Sequence, residues 1–125
     1  MKTILILSLL ISFINCNAQK LTKINGFPEE IEGCSCYFSE NKEDFNNKKF
    51  IYLDQHYSGF AFISIDGKLI QIDLEKENKG DYSVEIEFDK EFQNGDETYW
   101  KKGTIKVKLK DGTILSKKFV GECGC

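Results

Sequence analysis

The chain contains no arginine: its 17 basic residues are all lysines, set against 20 acids. It therefore lacks the guanidinium fork that grips phosphate on two sides, and its acidic balance offers no basic stripe to nucleic acid. Neither nucleic acid nor an anionic bilayer is an expected partner. Histidine is equally scarce, with His56 alone in LDQHYSG. Asp54, His56 and Ser58 occupy alternate positions of one extended segment, which share a face but do not converge, so a polar turn accounts for them better than a triad. P-loops, dinucleotide fingerprints, zinc-protease helices and calcium loops are missing. No carboxylate pair stands apart from the solvated acids. The expectation is a protein that is not an enzyme and carries no cofactor.

Long apolar runs are wanting as well. One stretch stands out, Ile4 to Ile14, preceded by Lys2 and followed by Cys16-Asn17-Ala18. At about half the roughly 20 residues of a membrane span, it reads as a secretory signal peptide over residues 1–18, cleaved after Ala18, and not as a transmembrane anchor. Cys16 raises a second route, a lipid anchor on that cysteine, although Asn15 stands where lipoprotein processing wants a small residue. Either route exports the body to the periplasm or beyond. Residues 19–32 form an N-terminal segment and residues 33–125 one domain. Cleavage leaves 16 lysines against 20 acids on about 107 residues, a modest core that cross-links would help to hold.

The cysteines supply those cross-links. Cys34, Cys36, Cys123 and Cys125 remain after cleavage, an even number in an oxidising compartment. Residues i and i+2 of a strand share a face, so GCSC and GECGC each present two sulfurs side by side. Antiparallel segments would join Cys34 to Cys125 and Cys36 to Cys123. Parallel segments would join Cys34 to Cys123 and Cys36 to Cys125, and bonding within each doublet would close small strained rings. The antiparallel pairing is preferred. A four-thiolate metal site or a reactive dithiol is the functional alternative, but the repeated CxxC that marks zinc is not present.

Period-two alternation dominates the body. In DYSVEIEFD, Tyr82, Val84, Ile86 and Phe88 face one way and the acids the other; in TIKVKLK the lysines alternate with Ile105, Val107 and Leu109. As antiparallel neighbours, these strands would set an acid row beside a lysine row. Asp66-Gly67 and Asp111-Gly112 mark hairpins. Strands are expected near residues 34–39, 48–54, 60–66, 68–75, 81–90, 97–110 and 112–120. FAFISI is apolar on both faces, as in a strand covered on both sides or an interaction edge. The whole reads as all-β: a small antiparallel meander, barrel or curled sandwich of seven to eight strands, closed by pairing the first strand with the last across the cysteine staple. Seven strands would make first and last parallel and eight antiparallel, so either Lys20 to Ile24 adds a strand or the run from Glu97 to Lys110 breaks at Gly103.

The succession of an apolar strand, IDGKLIQIDL, KGDY, YWKKG and a cysteine-bearing end resembles the periplasmic C-type lysozyme inhibitors. That resemblance implies a small exported barrel that plugs the cleft of a hydrolase, with contacts at Gly80 and Tyr82 on one loop and Lys102-Gly103 on another. Lys79 stands where that family has a serine, and Lys79 or Lys102 would meet the target's catalytic carboxylates. The expected function is thus that of an exported, non-catalytic binding protein, an inhibitor of a cell-wall lytic enzyme in its sharpest form. The alternatives are a cysteine-based metal or redox module, a small-ligand carrier built around its many aromatics, and a structural envelope protein.

Overall fold

The computed structural model describes residues 18–28, 35–55, 59–76, 81–93 and 99–124. The elements run β1 (Ile24–Asn25), β2 (Ser35–Ser39), α1 (Lys42–Asn46), β3 (Lys49–Phe50), β4 (Tyr52–Gln55), β5 (Phe60–Ile65), β6 (Lys68–Asp73), a 3-10 turn (Leu74–Lys76), β7 (Ser83–Gln93), β8 (Tyr99–Lys108) and β9 (Ile114–Gly124). Seven strands form one antiparallel sheet in the spatial order β6-β5-β4-β2-β9-β8-β7, which curls into a half-barrel, while β1 and β3 pair separately. The expected all-β, disulfide-stapled architecture is what the chain adopts.

Local chemistry sets the hairpins. Asp66 and Gly67 both take positive φ, 51° and 81°, the signature of the two-residue turn whose twist matches its strands. At the other Asp-Gly, the Gly112 amide donates to Leu109 O at 3.0 Å and the Leu109 amide to Thr113 O at 2.8 Å. Gly112 there has φ 92°, giving a type I turn with a glycine bulge.

The inner face of the curl buries Phe38, Tyr52, Ala61, Ile63, Ile105, Val107 and Phe119 in one apolar cluster. A second cluster, Ile24, Phe50, Leu53 and Phe62, lies on the other face under β1, β3 and α1. FAFISI is therefore a strand covered on both sides: Phe62 serves the outer cluster, while Ala61, Ile63 and Ile65 serve the inner one. The far half of the sheet keeps a charged outer face, where Glu85 lies opposite Lys106 and the Lys106 ammonium reaches the Glu87 carboxylate at 3.1 Å.

Four details depart from the sequence expectations. The run at residues 48–54 is split at Ile51, because Ile51 and Tyr52 both turn to the inner cluster and the Ile51 amide and Tyr52 both meet Phe38. A five-residue helix precedes it, capped by Asn41, whose side chain accepts the Asp44 amide at 2.8 Å. Lys20 to Ile24 adds only a single bridge, Leu21 with Ile65, and the short β1. Gly103 does not break its strand: β8 is continuous, and the irregularity lies on β7 between Phe88 and Lys90.

Strand direction decides where the curl opens. Each neighbour in the sheet is antiparallel to the next, so β6 and β7, six steps apart at the two edges, run the same way. Consecutive strands of like direction cannot form a hairpin. First and last strands do pair, β2 with β9, but antiparallel and inside the sheet. Among the described residues β6 and β7 are the two edges and do not pair, so the sheet is open there and not at the cysteine seam.

Candidate functional site

The seam is built around Cys36 and Cys123, which face each other in register and share a disulfide. The Cys36 amide turns away from β9 and donates to the Asp54 carboxylate at 2.8 Å. The two cysteines thus occupy a non-hydrogen-bonded pair, the narrow kind in which side chains approach most closely, with Cα atoms 4.0 Å apart. Asp54 also accepts the Tyr52 hydroxyl at 2.9 Å, so this buried carboxylate holds the seam to β4. His56 and Ser58, its companions in LDQHYSG, lie outside the described residues, as do Cys34 and Cys125. In this oxidised form Cys36 and Cys123 are not thiolates, and among the described residues no group of His, Cys, Asp or Glu is arranged to hold a metal ion. Among the same residues no helix is long and apolar enough to cross a membrane.

The residues implied in partner contact are dispersed. Lys79 and Gly80 lie outside the described residues. Tyr82 is half-buried against the inner cluster, just before β7. Lys102 and Gly103 sit within β8 and not on a loop, which corrects the position the resemblance implies. Ser83 pairs with Lys108, so Lys102 lies six residues further along β8, about 20 Å from Tyr82 at the rise of a strand. Gly103 has a packing reason of its own: a Cβ there would stand 2.0 Å from the Glu87 carbonyl oxygen of β7.

What the structure does bring together is an apolar strip along the open side. Tyr82, Val84 and Ile86 lean on the inner cluster from one edge, and Ile70 and Ile72 from the other. Phe88 continues the β7 row and is 45% exposed. Its ring meets Phe38 and Phe119 edge-on at 6.3 and 6.0 Å, and those two stack on each other at 4.0 Å. The buried Lys101 places its ammonium 4.7 Å from the centre of the Phe88 ring. Sequence periodicity assigned Phe88 correctly to the inner face. That the face would be open at that point depends on β7 being an edge, which no local pattern encodes.

Charge gathers elsewhere. Lys23 lies between Leu21 of the inner cluster and Ile24 of the outer one, reaching Asp44 at 2.8 Å and Glu40 at 3.9 Å. Its hydrogen bond to Asp44 holds the ammonium above the ordinary lysine value. Lys117 pairs with the same Glu40. Burial, with the nearby Glu122 carboxylate, pushes the Tyr37 hydroxyl up. Phe45 of α1 lies over Tyr37 and against Trp100, so this outer aromatic group is accounted for by helix docking.

The chain matches no family model, no curated protein and no solved structure.

Proposed function

We propose that the chain is an exported, non-catalytic protein that binds a partner protein along the open side of its half-barrel, inhibition of a cell-wall lytic enzyme being the sharpest form of that role. The observation that carries the reading is Phe88, held against the aromatic stack of the core yet 45% exposed on an edge strand. A large aromatic fixed by packing and open to solvent is a natural anchor for a partner. Tyr82, one residue before β7, packs against the same inner cluster, so the strip runs from Tyr82 to Phe88. Export rests on the leader-like residues 1–18 and agrees with the Cys36–Cys123 bridge.

In the inhibitor form, Lys79 is the cation that meets the target's catalytic carboxylates, because it is three residues from Tyr82 in the chain whereas Lys102 is about 20 Å away. Hydrolysis of cell-wall substrate by several lysozyme classes, measured with excess mature protein, tests this. Lys79→Ala is expected to lose inhibition and Lys102→Ala to keep it. Undiminished hydrolysis by every class would end the inhibitor form.

A further inference from the structure

Resting on the export reading and on cleavage after Ala18, we infer that Gln19, as the first residue of the mature chain, closes on itself to a pyroglutamyl lactam, so that the finished protein carries an uncharged, blocked amino end. Gln19 is exposed, as are Ala18 and Lys20 beside it. The backbone is tied down from the next residue onward. The Lys20 amide donates to the Asp66 carboxylate at 3.1 Å, and the Lys20 carbonyl accepts the Asp66 amide at 3.0 Å. Leu21 bridges to Ile65. The Thr22 amide donates to Ser64 O at 2.8 Å, and the Thr22 hydroxyl oxygen accepts the Gly67 amide at 2.9 Å. After cleavage, Gln19 is therefore a single accessible residue in front of a fixed segment.

Such an end contains everything the ring closure needs. Amine and carboxamide belong to one residue, so the attack is intramolecular and needs no second reactant to be held in place. The amine nitrogen bonds to Cδ, the Cδ–Nε2 bond breaks, and Nε2 leaves as ammonia with a proton given up by the amine; nothing is oxidised or reduced. Being exposed, the residue is open to unaided closure and to an exported cyclase alike. The segment behind it shows what the ring would protect. Leu21 fills the inner cluster and Ile24 the outer one, both buried, and Lys23 between them pairs with Asp44 of α1. Residues 20–26 are thus a strap that seals both apolar clusters, and an exopeptidase working inward from a free amine would unpick it. The lactam removes that amine and its charge.

The test is the mass of the chain made from its full sequence in an exporting bacterium, with samples denatured and chilled at harvest. A Glu-specific protease then releases the peptide from Gln19 to Glu29 for sequencing by mass spectrometry. The expected product is residues 19–125 less one ammonia, with the loss on residue 19 and no signal in stepwise degradation from the amino end. Gln19→Ala, which keeps the chain start and removes the carboxamide, should show no loss and should degrade stepwise. A parent that begins at Gln19 with a free amine and an intact carboxamide would overturn the inference while the export reading stands. A chain that retains residues 1–18 would overturn both, and one that begins at a lipid-bearing Cys16 would overturn the inference and the cleavage site but leave export in place. A reference chain whose Gln19 is freed in vitro from a fusion identifies the source of a ring that is found. Closure at the rate seen in the culture assigns it to the residue alone, and slower closure assigns it to a cyclase in the exporting compartment; the lactam is supported in either case.

Discussion

Replacing Cys34, Cys36, Cys123 and Cys125 by alanine should cost this protein most of its stability. The Cys36–Cys123 bridge spans a sequence separation of 87 residues. Releasing a loop of that length returns about 4.6 kcal/mol of chain entropy to the unfolded state. For a domain of this size that is roughly 20 °C in melting temperature. Cys36 lies opposite Cys123 as the antiparallel pairing of the two doublets requires, and that pairing joins Cys34 to Cys125, which lie outside the described residues. We therefore expect a second bridge between Cys34 and Cys125. It would keep the ends joined when only Cys36 and Cys123 are replaced, so the double variant should lose a small part of what the fourfold variant loses. Urea unfolding of the parent and both variants measures this, and the fourfold variant should also show a steeper dependence on urea, because its unfolded state is less confined. A fourfold variant within about 1 kcal/mol of the parent would refute the loop-entropy reasoning. Peptide mapping that finds either doublet bonded internally would refute the register.

Gly103→Ala should destabilise the protein by about 2–3 kcal/mol in urea unfolding, because the new Cβ meets the Glu87 carbonyl oxygen at 2.0 Å and that backbone is held in the β7–β8 ladder. Tyr52→Phe removes the hydroxyl that donates to Asp54 at 2.9 Å and should cost about 1–2 kcal/mol by the same measurement; an unchanged midpoint would show that the bond contributes nothing at the seam. The Thr113 amide holds the Asp111 carboxyl below the ordinary aspartate value, so the contribution of that bond is present above the ordinary value and is lost as pH falls through the lowered one. In an acid titration followed by NMR, the Thr113 amide should move at lower pH than a free aspartate dictates.

Much of the fold is legible residue by residue, and the reasons are local. Alternation in SVEIEF and TIKVK marks β7 and β8 because a strand turns successive side chains to opposite faces. Asp66-Gly67 marks its hairpin because both residues tolerate positive φ. The two CxC doublets mark the β2–β9 seam because residues two apart share a face. What stayed hidden depends on partners distant in sequence. The extra residue of the β7–β8 ladder is Asp89, though the glycine that draws attention is Gly103, because the tight approach and the insertion lie on opposite strands. Ile51 breaks an apparently continuous strand only because Phe38 of β2 accepts its amide. The openness around Phe88 follows from counting strand directions over the whole sheet. Of the candidate contact residues, Tyr82 lies on the open strip, while Lys102 lies on the charged outer face in the ladder row of Val120.

The position of β2 between β4 and β9 also constrains how the protein is made. During synthesis β2 emerges before β9, so β2 waits with an uncovered flank until β9 has followed it. A nascent chain stalled before Phe119 lacks both the covalent clasp and the ring that stacks on Phe38.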